Sequence, residues 1–170
     1  LTSEPVKKAA YTGRADFIHA DRLNELWIHT NNSCNLTCSH CLVNSSPNED
    51  GGLSTESIKK IIDEAAVLGT SRFYFTGGEP LMRKDIFELI DYVCNQKKSE
   101  LIILTNGTLL KGETIEKLQG FDKKLLKIQI SLDGSKPEIN DSLRGKGSFN
   151  LIVEGIKNIV GAGFSPTVTT

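Results

Sequence analysis

The chain has 170 residues, with 20 Lys+Arg against 21 Asp+Glu, four cysteines and 15 glycines. At roughly 100–200 residues per domain, that length fits one domain able to bury a core without disulfide staples. A formal net charge of −1 leaves no footprint for nucleic acid or an anionic membrane, and apolar runs such as Leu101–Leu104 fall far short of the ~20 residues of a spanning helix. The N-terminus carries no secretory pattern. A start at Leu1 rather than Met reads as a piece cut from something longer.

Residues 1–22 are polar, carry no period and read as an irregular or hairpin lead-in. The lead-in is therefore drawn as 1–23 and the core as 24–170. Leu26–Thr30 is apolar and β-branched, hence a strand. Ser54–Leu68 places Ile58, Ile61, Ile62, Ala65 and Leu68 at helical spacing, and Gly69 supplies a stop. Arg72–Thr76 reads as a second strand, ended by Gly77-Gly78. Lys84–Asn95 puts Ile86, Leu89, Ile90, Val93 and Cys94 on one helical face. Leu101–Thr105 is a third strand closed by Asn106-Gly107, and Thr114–Gln119 a short helix. Lys127–Leu132 is a fourth strand ended by Asp133-Gly134. Leu151–Val160 is a helix with Asn150 as its expected N-cap, and Ser165–Thr170 begins a fifth strand.

Strand alternating with helix is the pattern of βαβ units and a parallel sheet. The predicted fold is α/β, part of a curved or barrel-like sheet in which sites form at the C-terminal ends of the strands. Every Gly-rich or polar motif in the chain follows a predicted strand.

The first of these motifs is Cys34-Asn-Leu-Thr-Cys38-Ser-His-Cys41, a C-x3-C-x2-C array. Three thiols this close cannot pair neatly as disulfides, so a reducing cytoplasm and a metal centre are expected. Thiolates suit iron–sulfur clusters and zinc. Three cysteines in one loop can grip three irons of a cubane, leaving the fourth iron open to another ligand. A Cys3His zinc site using His40 is the alternative. Cys94 is expected in the core as a small hydrophobe.

The array resembles the signature of the radical S-adenosylmethionine (SAM) superfamily, which follows the first strand of a partial (β/α)6 barrel. The resemblance covers residues 24–170 and extends to further motifs in order. Gly77-Gly78-Glu79-Pro80 looks like the family's GGE segment, which holds the amino group of SAM. Glycines admit close approach of a ligand to the backbone, Pro80 stiffens the exit, and on its own the segment also fits a turn with an exposed Glu. Thr105-Asn106-Gly107 stands where the family faces SAM, although an Asn-Gly turn explains it too. Ser131 and Asp133 match the segment near the SAM ribose. Asn140-Asp141-Ser-Leu-Arg144-Gly145 with Gly147-Ser-Phe149 is similar to a stretch of the branch carrying a SPASM or twitch extension, with Asn140 in place of its histidine. There Arg144 would pair with the SAM carboxylate.

The resemblance implies a 4Fe–4S cluster held by Cys34, Cys38 and Cys41, with SAM chelating the open iron. An electron from the cluster, supplied by an external donor such as a flavodoxin or ferredoxin, would cleave SAM to a 5′-deoxyadenosyl radical that abstracts hydrogen from a peptide or small-molecule substrate. The motif set is most like maturases of peptides, sulfatases and haem- or quinone-type cofactors. Molybdenum-cofactor-precursor enzymes share much of it, and a non-catalytic zinc or iron–sulfur module stays open. The family fold needs about two more strands than this chain supplies, so truncation in the fifth strand and weak or no turnover of the piece alone are expected.

Overall fold

The computed structural model describes residues 22–170, so the expected lead-in lies almost wholly outside the described residues. Five strands form one sheet: β1 (Glu25–His29), β2 (Arg72–Thr76), β3 (Glu100–Thr105), β4 (Leu126–Ser131) and β5 (Thr167–Thr169). Their order in space is their order in sequence, and every neighbouring pair is parallel. That sequential order belongs to the wall of a barrel; a doubly wound sheet would reverse direction at a switch point. The register sets His29 beside Thr76, Thr105 beside Ile130 and Ser131 beside Thr169. All strands thus end along one edge, and their outgoing loops meet there.

The helices are α1 (Thr55–Val67), α2 (Ile86–Asp91), α3 (Glu113–Gln119), α4 (Pro137–Arg144) and α5 (Ser148–Gly161). Alternate strand residues Ile28, Phe73, Phe75, Leu101, Ile103, Ile128 and Ile130 are buried. They pack in one cluster with Ile58, Ile62, Leu89, Ile90, Leu118, Ile152 and Ile159 from the helices. The period-2 and period-3.6 patterns meet on that face of the sheet, as each must hide one stripe. Cys94 lies fully buried within this cluster, as expected, and burial pushes its thiol up to about 12. Among the described residues no helix is long and apolar enough to cross a membrane.

Most strands start or end a residue or two from the expected bounds, and the helices differ in more informative ways. Helix α1 begins after Ser54, whose hydroxyl accepts from the Ser57 N–H at 3.1 Å, the usual N-cap geometry. Helix α2 starts at Ile86 instead of Lys84 and widens into a π turn over Tyr92–Gln96. Helix α5 starts at Ser148, so Asn150 lies inside it and is no cap. The capping acceptor is instead the Asp141 carboxylate, from the preceding helix, which takes the N–H groups of Gly147 (2.6 Å) and Phe149 (2.8 Å). Helix α4 was not expected at all, since Asn140 is its one fully buried side chain and no apolar stripe marks it.

Candidate cluster and cofactor site

The cysteines sit in a long loop between β1 and α1, and the neck of that loop is closed by Arg83. One Nη1 donates to Thr30 O (2.5 Å) and Leu53 O (2.9 Å), the two ends of the loop. Its Nε and Nη2 pair with Asp85 at 3.0 and 2.7 Å. Burial pushes Asp85 up, but Arg83 and the Thr55 hydroxyl outweigh it and hold the carboxyl below its ordinary value.

The loop after β2 zips onto the same neck. Gly78 N–H donates to Asn31 O (2.7 Å) and Glu79 N–H to Ser33 O (2.9 Å). The Asn31 side chain closes the junction by donating to Ser33 O and Glu79 O. A Cβ on Gly77 would collide with Asn31 O, and one on Gly78 with Ser33 O. The two glycines therefore serve first to let one loop's backbone lie against another's.

Cys34 is buried; Cys38 and Cys41 are half-buried. The Cys34 sulfur accepts from Leu36 N–H (3.5 Å) and from Asn106 Nδ2 (3.8 Å), and that of Cys41 from Ser45 N–H (3.3 Å). Burial pushes the Cys34 and Cys38 thiols up, so both stay protonated until a metal supplies the compensating charge. All three thiols line one cavity of about 430 Å³ at the C-terminal edge of the sheet. Its wall also includes Gly77, Gly78, Asn106, Ser131 and Arg144. Among the described residues no three His, Cys, Asp or Glu groups form a single-ion site; the thiols share a cavity, not a point. Three soft donors around a space of this size suit a metal cluster better than a single ion.

Three of the expected site residues stand behind that wall. Glu79 is fully buried, accepting from Thr105 Oγ1 (2.7 Å) and Leu81 N–H (3.1 Å) on one oxygen and Asn106 N–H (2.8 Å) on the other. Burial pushes it up to about 6 against those bonds. Pro80 opens a 3-10 turn, Pro80–Met82, beside it. Asp133 faces Arg144 and the ring of His40, and its backbone N–H donates to buried Asn140 (3.2 Å). Asn106 ties the halves together, since its amide also donates to Asn35 (2.9 Å) in the cysteine loop.

Asn31 and Arg83 escaped the sequence reading. Each is a polar residue beside a motif, and the partners that make it a clasp, Glu79 for Asn31 and Thr30 and Leu53 for Arg83, lie tens of residues away.

A profile of the radical SAM superfamily matches residues 28–170. The chain belongs to that superfamily. Mycofactocin maturase MftC of Mycolicibacterium smegmatis is 40% identical over 133 residues, which is 78% of this chain and 33% of that protein. The antilisterial bacteriocin subtilosin biosynthesis protein AlbA of Bacillus subtilis is 41% identical over 125 residues, 73% of this chain and 28% of its own length. The crystal structure of Streptococcus suis SuiB bound to precursor peptide SuiA aligns with a TM-score of 0.74 at 25% identity, covering 87% of this chain and 33% of that one. This radical SAM chain spans about a third of the length of the curated relatives it matches. Within that span the expected α/β barrel wall and maturase-like relatives both stand.

Proposed function

We propose that this chain is the cluster- and SAM-binding core of a radical enzyme that matures a peptide. The observation that carries the reading is one cavity, at the C-terminal strand edge, walled by all three thiols, the loops after β2 and β3, the end of β4 and Arg144. Cys34, Cys38 and Cys41 would hold three irons of a 4Fe–4S cluster. The cluster with SAM supplies one-electron cleavage of the sulfonium and a 5′-deoxyadenosyl radical that takes hydrogen from the substrate.

Everything else is binding, orientation and exclusion of water. The Gly77-Gly78 backbone would face the SAM amino group, with the Glu79 carboxylate tying that loop to Thr105 and Asn106 behind it. Ser131 would meet the ribose and Arg144 the carboxylate, a charge-assisted pairing. No side chain needs to act as a nucleophile. The electron would come from an external donor such as a flavodoxin or ferredoxin, and an oxygen-sensitive cluster suits the cytoplasm.

The peptide substrate rests on the relatives: a mycofactocin maturase, a bacteriocin biosynthesis protein and a protein crystallised with its precursor peptide. Fe-coproporphyrin III synthase of Methanosarcina barkeri, 42% identical over 127 residues, supports a small-molecule substrate as the second reading.

Anaerobic reconstitution of the full-length chain tests the core assignment. About four irons, and 5′-deoxyadenosine formed on reduction with SAM, are expected. Cys38→Ala should abolish both. One equivalent of zinc without iron would overturn the assignment in favour of a structural module.

A further inference from the structure

Asp133 has a role that its place in a ribose-facing motif does not suggest. Its carboxylate is outside the cavity wall, with the side chain a tenth exposed. Oδ2 lies 2.7 Å from Arg144 Nε and 3.2 Å from His40 Nε2, and Oδ1 accepts from Arg144 Nη2 at 3.2 Å. The Nε contact is a charge contact off the N–H axis, and the Nη2 bond is the aligned one. Both partners of Asp133 do line the cavity.

His40 sits between Cys38 and Cys41 in the sequence, and Arg144 ends α4. A second link runs beside the carboxylate: Ser39 N–H donates to Leu143 O at 2.9 Å. Asn140 fixes the Asp133 backbone from α4 and is itself held by donating to Ser148 Oγ (2.8 Å) at the start of α5. The loop after β4, the cysteine loop and the α4–α5 corner therefore converge on one carboxylate.

We propose that Asp133 is a positioning residue: from behind the wall it locks the His40 ring of the cysteine loop and the Arg144 guanidinium into one body, fixing the thiols relative to the group that would receive the SAM carboxylate. The inference rests on the cluster and SAM reading above. Its electrostatic consequence follows from the pairing. Arg144 lines the cavity that the three thiols share, and the Asp133 carboxylate faces it from behind, so the two opposite charges offset each other at that corner. Removing Asp133 leaves Arg144 uncompensated beside the thiols in a site of low dielectric. Positive charge there makes a cluster easier to reduce.

The test uses the full-length chain, reconstituted anaerobically, with SAM titrated against the electron paramagnetic resonance signal of the reduced cluster and the midpoint potential measured alongside. Asp133→Asn should keep its iron, bind SAM about tenfold more weakly because Arg144 is no longer held in place, and show an upward shift in potential. Asp133→Glu should restore affinity to within about threefold. An Asp133→Asn protein with wild-type affinity and potential would overturn the proposal, as would Asp133→Glu no better than Asn. Should Asp133→Asn fail to fold, His40→Gln reports on the loop half: weaker SAM binding supports the lock, and unchanged binding with unchanged potential overturns it. A wild-type protein that takes up iron and binds SAM while Asp133→Asn is silent defeats this inference alone. A wild-type protein without iron defeats the cluster assignment beneath it.

Discussion

Two carboxylates, Glu79 after β2 and Asp133 after β4, sit behind the same cavity and are held by opposite means. Glu79 is surrounded by neutral donors, two backbone N–H groups and one hydroxyl, and is fully buried. Asp133 is held by a guanidinium and an imidazole at a partly wetted corner. Around Glu79 the junctions use mainly backbone groups: Gly78 and Glu79 N–H donate to Asn31 and Ser33 carbonyls, the Asn31 amide to Glu79 O, and Asn106 N–H to the Glu79 carboxylate. Around Asp133 they join chiefly through side chains, with one backbone link from Ser39 N–H to Leu143 O. The first kind of junction tolerates no added atom, whereas the second tolerates changes of shape but not of charge. The cysteine loop is anchored at its base by the first kind and at its tip by the second.

The strictest way to break that contrast is Gly78→Ala. Its Cβ would overlap the Ser33 carbonyl, a backbone group that cannot swing away. We expect a loss of about 3 kcal/mol or more in denaturant unfolding, together with loss of bound iron, because Cys34 directly follows Ser33. An alanine variant with wild-type stability would show that the zipped junction is loose. Arg144→Ala is the matching change on the charged side. It leaves the Asp133 carboxylate, with its side chain a tenth exposed, facing His40 alone. The expected cost is about 2 kcal/mol, smaller because water and the half-exposed imidazole can move in.

How much of this was legible in the sequence follows the same division. Strand β2 falls at Arg72–Thr76 as read, and α1 is capped by Ser54 directly ahead of its apolar period, because local pattern and burial coincide there. The order of motifs along one strand edge was equally readable, since a parallel sheet sends every β–α loop to the same side. Helix α4 was invisible because it presents only Asn140 to the interior, and α5 was started late because its capping acceptor, Asp141, belongs to another helix. Gly78 was marked as a ligand-approach glycine, but its crowding comes from Ser33, 45 positions earlier. Arg144 and Asp133 were both marked, yet nothing local says that they spend their charges on each other. Pairings between loops depend on register, and register is a tertiary fact.

The smallest effect at neutral pH is also the most diagnostic, because it appears as a slope. Burial raises Glu79 to about 6 from an ordinary 4.5, so the folded chain holds this proton more tightly than the unfolded chain. Its contribution is fully present below pH 4.5, falls as pH rises through 6, and then levels off, a change of about 2 kcal/mol. Glu79→Gln removes that slope but turns an amide toward N–H groups that need an acceptor, which costs about 1–3 kcal/mol. Near pH 7.5 the two effects nearly cancel, leaving a difference of about 1 kcal/mol or less; near pH 4.5 the variant should be clearly the weaker. At Asp141 the sign reverses, because there neutral donors outweigh burial. The Phe149 N–H, ahead of that of Gly147, holds Asp141 below the ordinary carboxylate range, so its contribution is present above that range and is lost as pH falls. The difference curve of Asp141→Asn should therefore slope the opposite way to that of Glu79→Gln between their respective pKa values. Urea unfolding across pH 3–8 measures both, and two curves of the same sign would mean that burial does not outweigh the donors around Glu79.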